Sequence, residues 1–332
     1  MKGRLGRVLV GILGLVLPLG VFNRYVLYLV SLALVYYMAA AGTDLLVGYT
    51  DQLSLAGAAF FGLGAYTVAL GSGLLHQSWA EGVLAAAAVG AMGGMVLGLP
   101  ALRVQHLSLG VSTLAGVVVL NTWFNASPSF LGGSLGGSQG LVVPAPTIGG
   151  HPLSSRWLWA GIYGSAAAVW AVERNLIRSQ YGRILWALKD SPLALESLGT
   201  ALAPVKMGVF VFSSALIAVA GAWYGLLSGT IDPTVFDPNL SITLIAMAVI
   251  GGSGWEMGPL VGALFVTVLP QVFALMGFGP WANLSYAIAF FLTLRWAPEG
   301  LGRRWSRAWQ TWRAARIRLG RRDVGGRPLG GG

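Results

Sequence analysis

Residues 25–46 read YVLYLVSLALVYYMAAAGTDLL, an apolar run whose one charged side chain, Asp44, lies near its end. About 20 such residues carry an α-helix across the hydrocarbon core of a bilayer. Working outward, comparable runs lie near 8–22, 53–75, 80–99, 107–124, 157–173, 206–228, 240–254, 258–276 and 281–296. The expected fold is an all-α integral membrane protein of about ten transmembrane helices, the first and eighth of them short.

Composition agrees. The 332 residues are 55% hydrophobic and 10% charged, against about a quarter charged in a soluble domain. Such a chain has too little polar surface to cover itself in water. The net charge of +10 does not point to nucleic acid, because the basic residues sit in loops and tails as the positive-inside rule demands. Lys2, Arg4, Arg7, Arg103, Arg174, Arg178, Arg183, Lys189 and Lys206, with the arginines after 302, all fall on one side of a ten-span chain. That side is the cytoplasm, so both termini are expected inside; Arg24 is the exception. The start MKGRLGRVLVGILGLVLPLGVF has the basic-then-apolar form of a signal peptide. No small-x-small cleavage site follows before Asn23, so it reads as an uncleaved span.

The expected organisation is a transmembrane domain over 1–302 and a basic cytoplasmic tail over 303–332. Residues 125–156 form a Gly-, Ser- and Pro-rich external loop. Residues 178–204 form a cytoplasmic segment, in which Ser191-Pro192 caps a short amphipathic helix bearing Leu193, Leu195, Leu198 and Leu202. Val47–Phe61 faintly resembles Ile250–Val266, which suggests two weakly related halves.

No catalytic constellation is read. There is no cysteine, the three histidines are scattered, and neither GxxxxGK[ST] nor HExxH occurs. No metal or cofactor site is therefore expected on this chain. Mid-span acids, the usual mark of an ion-coupled carrier, are not read either. Candidates for a translocation path are the uncharged polar residues Gln52, Ser54, Ser112, Thr113 and Asn121. Ser112 and Asn121, nine apart, are expected on one helix face; interhelical hydrogen bonding is the alternative role.

Several stretches together resemble the branched-chain amino acid ABC permeases of the LivM type. They are DQLSLAGAAFFGLGAYTVAL at 51–70, GLPALRVQHLSLGVSTLA at 98–115, GGSLGGSQGL at 132–141 and YGRILWALKDSPLALESLG at 181–199. DPTVF at 232–236, IGGSGWEMGPL at 250–260 and APEG at 297–300 complete the order. The resemblance implies an importer subunit of the inner membrane, with ATP and Mg held by two partner ATPase subunits. It also implies a second permease subunit and a periplasmic or lipid-tethered substrate-binding protein. The cytoplasmic segment would be the coupling element, with Ala187, Lys189, Asp190, Glu196 and Gly199 matching the family pattern. Asp51 stands where the family commonly has glycine, Ala56-Gly57 replaces a Gly-His pair, and Lys189 replaces a frequent arginine. The expected cargo is a branched-chain or other small amino acid; urea or short amides are alternatives, and an ion-coupled secondary transporter is the competing class.

Overall fold

The computed structural model describes residues 23–74, 78–101, 107–126 and 155–278, short stretches between 129 and 152, and residue 291. Ten α-helices fall within them. They are α1 (Arg24–Thr50), α2 (Gly57–Leu74), α3 (Trp79–Ala101), α4 (Leu107–Ala126) and α5 (Ser155–Arg178), then α6 (Gln180–Asp190), α7 (Pro192–Ser197), α8 (Leu202–Ser228), α9 (Pro238–Gly251) and α10 (Gly258–Phe273). The expected spans at 8–22 and, apart from Phe291, 281–296 lie outside the described residues. So does the tail.

Among the described residues, α1, α3, α4, α8 and α10 are long and apolar enough to cross a membrane. The other expected spans depart from that standard for local reasons. Helix α2 starts only at Gly57, because residues 51–56 are non-helical after Asp51 turns into the left-handed region at φ 53°. Helix α9 has 14 residues, or about 21 Å at 1.5 Å per residue, short of a full hydrocarbon core. Helix α5 ends in a charged turn holding Glu173, Arg174 and Arg178.

Helix α8 lies at the centre, packed against α1, α2 and α3. Membrane helices have no hydrophobic drive toward one another, so they associate where small residues let backbones approach. Gly221 of α8 lies against the backbone of Phe61, and Gly64 of α2 against that of Ala218. A Cβ at either glycine would overlap a carbonyl group. The Ser213 hydroxyl adds a bond to the Gly42 carbonyl of α1 at 2.6 Å.

A buried aromatic cluster closes one end of the bundle, where Phe61 and Tyr66 of α2 meet Phe124 of α4 and Phe236. Phe236 belongs to a 3-10 turn, Pro233–Phe236, capped by the Asp232 side chain. Among the described residues, the loop after α4 holds five two-residue strands: β1 (Ser129–Phe130), β2 (Gly133–Ser134), β3 (Leu141–Val142), β4 (Thr147–Ile148) and β5 (His151–Pro152). β1 pairs with β2 and β4 with β5, while β3 pairs with β6 (Thr230–Ile231), tying this loop to the α8–α9 connection. The loop also spells G-x-S-x-G twice, at 132–136 and 136–140. A nucleophile elbow sets that motif between a strand and a helix. Here the first serine sits in β2 and the second motif runs into β3.

Candidate functional site: a polar junction beneath helix α6

Helix α1 is apolar along most of its length, yet Tyr37, Asp44 and Gly48 share one face. Seven and eleven residues bring an α-helix back to nearly the same azimuth. Against that face come the end of α5, helix α6 and the turn 252–257 between α9 and α10. The Asp44 carboxylate, fully buried, accepts the Gly254 backbone N–H at 3.0 and 3.2 Å. Gly254 has a φ of +73°, which glycine adopts without penalty. Gly48 is required for closeness rather than conformation: a Cβ there would stand 2.6 Å from the Gly254 nitrogen.

Lys189 of α6 donates to the Gly48 carbonyl at 2.6 Å. Its ammonium also lies 5.8 Å from the ring centre of Trp186. Trp186 meets Tyr49 of α1 edge-on, with centroids 5.3 Å apart. Glu256 in the turn takes the Arg178 guanidinium in a bidentate pair, 2.9 and 3.1 Å, with Arg174 at 3.9 Å. Between these fastenings is a cleft of about 400 Å³, whose walls include Tyr49, Trp186, Trp255, Arg178, Glu256 and Met257. Helix α6 is thus held to α1, and the end of α5 to the α9–α10 turn, by directional bonds at one level of the bundle.

The segment 178–204 differs from the single short helix expected. It is two helices, broken at Ser191, whose extended backbone (φ −157°, ψ 91°) precedes Pro192. A residue before proline is pushed out of the α region, which stops α6. The Ser191 hydroxyl then caps α7 by accepting the Ala194 N–H. Only Leu195 of the expected apolar face is buried. Leu193 and Leu198 are 77% and 82% exposed, and Leu202 opens α8. Of the coupling residues, Ala187 and Lys189 are half-buried on α6, Asp190 is exposed at its end, and Glu196 is exposed on α7. Gly199, exposed at φ +81°, ends the pair with open space around its Cα.

Three of the expected path residues gather at the unwound segment before α2. The Gln52 amide donates to Thr50, Ser54 accepts from Ala56 N–H, and Thr113 of α4 accepts from Leu55 N–H at 2.9 Å. Ser112 and Asn121 do not share a face. Nine residues at about 100° each amount to half a revolution, so the expectation was geometrically wrong. Ser112 bonds back to Leu109. Asn121 holds the 3-10 turn by donating to the Pro233 and Phe236 carbonyls, 2.7 and 3.2 Å. The open face of α4 is instead Ser108, Val111, Ala115, Val118, Val119 and Thr122.

Sequence reading also missed Glu173. It is 1% exposed, and neither carboxylate oxygen has a hydrogen-bond partner. The sequence signal reaches only part of the way: no proline stands between Trp157 and Ser179, which places Glu173 on the helix without showing that it is enclosed.

Comparison with known proteins adds the following. Residues 25–295 match the model of a family described as branched-chain amino acid transport system / permease component. The chain is 26% identical to the high-affinity branched-chain amino acid transport system permease protein LivM of Escherichia coli K12, over 84% of this chain and 70% of that one. It is 28% identical to the autoinducer 2 import system permease protein LsrC of Enterobacter sp. 638, over 79% and 72%. A shorter match, 31% identical over 36% and 35%, is to the fructose import permease protein FrcC of Rhizobium meliloti. No solved structure matches.

Proposed function

Because the chain belongs to the family of permease components of branched-chain amino acid transport systems, we propose that it is the translocation subunit of an importer for branched-chain or other small amino acids, driven by ATPase partners through α6 and α7. As a member of that family it is a multi-pass inner-membrane permease subunit of an ABC-type system. Its partners in this reading are two ATPase subunits, a second permease and an external binding protein.

The observation that carries the coupling reading is a contrast. Helix α6 is bonded to the α1 terminus through Lys189 and Trp186, whereas α7 buries Leu195 alone and leaves Leu193 and Glu196 exposed, with Leu198 exposed just beyond it. A short helix that is open on one side and fastened on the other can pass a partner's displacement to the spans as a rigid-body push. Through Gly48 and Asp44 the push reaches α1 and the α9–α10 turn together. The hydrolytic chemistry, with ATP and Mg, belongs to the ATPase partners.

In this reading helices α1–α5 and α8–α10 make eight crossings or partial crossings, and the apolar runs expected at 8–22 and 281–296, which lie outside the described residues, would make two more and leave both termini in the cytoplasm. Two weakly related halves would be marked by the similar stretches 47–61 and 250–266, each a helix end, a turn and a helix start, which meet at Gly48 and Gly254. The path runs past the unwound segment 51–56, where Gln52, Ser54 and Thr113 converge, toward the open face of α4. Non-helical backbone within a membrane bundle is tolerated where it is buried in protein or lines a cavity.

The amino acid reading rests on the LivM relatives; relatives named for autoinducer 2 and fructose import share the family. Two measurements test the proposal. Co-purification from mild detergent should recover an ATPase pair with the wild type and lose it with Gly199→Trp or Glu196→Arg. Uptake of labelled leucine by the reconstituted importer should be competed by isoleucine and valine, not by fructose, urea or acetamide. A chain that purifies alone and drives ion-dependent uptake in liposomes would replace this reading with a secondary transporter.

A further inference from the structure

Every other charged group in the polar junction has a counterpart. Asp44 has the Gly254 N–H and the Ser253 side chain, with Lys189 close by. Glu256 has Arg178 and Arg174. Glu173 has none, although it is the one fully buried glutamate among the described residues. A carboxylate taken out of water with no donor is paired, neutralised or expelled.

Its surroundings decide among these. From α1, Tyr37 and Asp44 lie within electrostatic reach of it. From the α9–α10 turn, Glu256 does as well. Helix α6 brings Lys189, which is committed to the Gly48 carbonyl. On α5 itself, Arg174 turns to the Trp170 face, 5.0 Å from its centre, and Arg178 to Glu256. Helix α8 meets α5 at the far end, through Trp223 against Gly161. The neighbouring carboxylates repel a charge on Glu173, and the junction's cations are engaged elsewhere. The Tyr37 hydroxyl, 4% exposed, is a second polar group there without a partner. Among the described residues no three acidic or histidine side chains come together to hold a metal ion. One carboxylate with a neutral phenol within electrostatic reach, on the packed helices α5 and α1, suits a single positive charge and not a divalent ion.

We propose that Glu173 and Tyr37 form a site for one small monovalent cation, a proton or a sodium ion, that locks α5 against α1. With the cation bound, the α1–α5 seam is neutral and closed. Without it, an uncompensated carboxylate faces Asp44 and Glu256 and drives α5 away from the level at which α6 is fastened. A bound proton and a sodium ion share this chemistry and are separated by experiment.

The test uses the purified full-length chain in lipid nanodiscs, with thermal unfolding followed at controlled pH and ionic strength. For the wild type, the unfolding midpoint should fall as pH rises in N-methylglucamine chloride, a cation too large to enter. If the site takes sodium, sodium chloride restores the midpoint at high pH; if it takes only a proton, sodium has no effect. Glu173→Gln, neutral at every pH, should lose the sodium response and show a shallower pH response, the remainder being that of the other buried carboxyl, Asp44. A second measurement does not depend on that variant folding. Infrared spectra of the wild type with ¹³C-labelled glutamate should show an un-ionised carboxylic acid band near neutral pH for the proton, or a sodium-dependent carboxylate band for sodium. The proposal is overturned if neither band is seen. It is also overturned if wild type and Glu173→Gln share the same pH and sodium profiles. A loss of stability in Glu173→Gln that Arg174→Gln restores would assign Glu173 to an ion pair instead.

Discussion

Replacing Lys189 with methionine keeps the length and apolar stem of the side chain and removes its charge. In the structure that charge makes one 2.6 Å bond to the Gly48 carbonyl and lies over Trp186. A hydrogen bond from a charged donor contributes about 1.5–3 kcal/mol when its partner would otherwise be left unmet. The ammonium–indole contact adds about 0.5 kcal/mol at this distance and half-exposure. The sum, about 2–3.5 kcal/mol, corresponds to about a 30- to 300-fold shift in the equilibrium between fastened and unfastened α6. The Trp186–Tyr49 contact remains, so the helix should loosen and not unfold. The assay is the ratio of substrate imported to ATP hydrolysed in proteoliposomes containing the assembled importer. Lys189→Met should retain basal ATPase activity while the ratio falls by about tenfold or more. Lys189→Arg, which preserves a donor, should lose much less. A Lys189→Met importer with the wild-type ratio would refute the idea that movement passes through this bond.

Further outcomes follow from the packing and the caps. Gly221→Ala should lower the thermal unfolding midpoint of the chain in detergent, at a cost of about 1–3 kcal/mol for overpacking against α2. Gly208→Ala, on the same helix with open space where its Cβ would go, should leave the midpoint unchanged or raise it. Asn121→Ala strips the Pro233 and Phe236 carbonyls of their donor, and should cost about 1–3 kcal/mol and speed proteolysis at 229–237. Asp232 is exposed, and its bonds from the Thr234 N–H and hydroxyl hold its carboxyl below the usual aspartate value. A depressed folded value means the cap is intact above the ordinary value of about 3.9 and is lost as pH falls through the lower, folded one. Amide exchange at Thr234, corrected for intrinsic rate, should therefore rise only under acid and be pH-independent in Asp232→Asn.

Much of the helical layout was legible because span-forming helices declare themselves by composition. The run at 25–46 predicts α1 to within a few residues, and the Ser191-Pro192 pair marks the start of α7. What was not legible depends on partners distant in sequence. Hydropathy ends the sixth span at the first charges, so Glu173 reads as a boundary residue; only the face of α1 with Tyr37 and Asp44 shows that it is enclosed. Lys189 reads as one charge among several on a cytoplasmic segment, and its bond partner lies 141 residues away. The unwinding at 51–56 is hidden inside an apolar run, because Ser241 and Thr113, which accept the Ala58 and Leu55 N–H groups, lie on other helices. The path residues were chosen for polarity alone, and polarity does not distinguish Asn121 bracing a turn from a side chain open to a pore. The pairing of β3 with β6 has no signature in either strand, since two residues carry no periodicity.

The claim that α7 is where the ATPase meets this chain is tested most directly by site-specific cross-linking. The chain has no cysteine, so single cysteines can be placed without background. Ser197→Cys on α7 and Ser72→Cys at the far end of α2 would each be treated, in the assembled importer, with a short photoactivated maleimide reagent. The account predicts an adduct of this chain with the ATPase subunit from position 197, changing in yield between nucleotide-free and ATP-bound states, and none from position 72. An ATPase adduct absent from 197 in both states, in an importer that still transports, would contradict it.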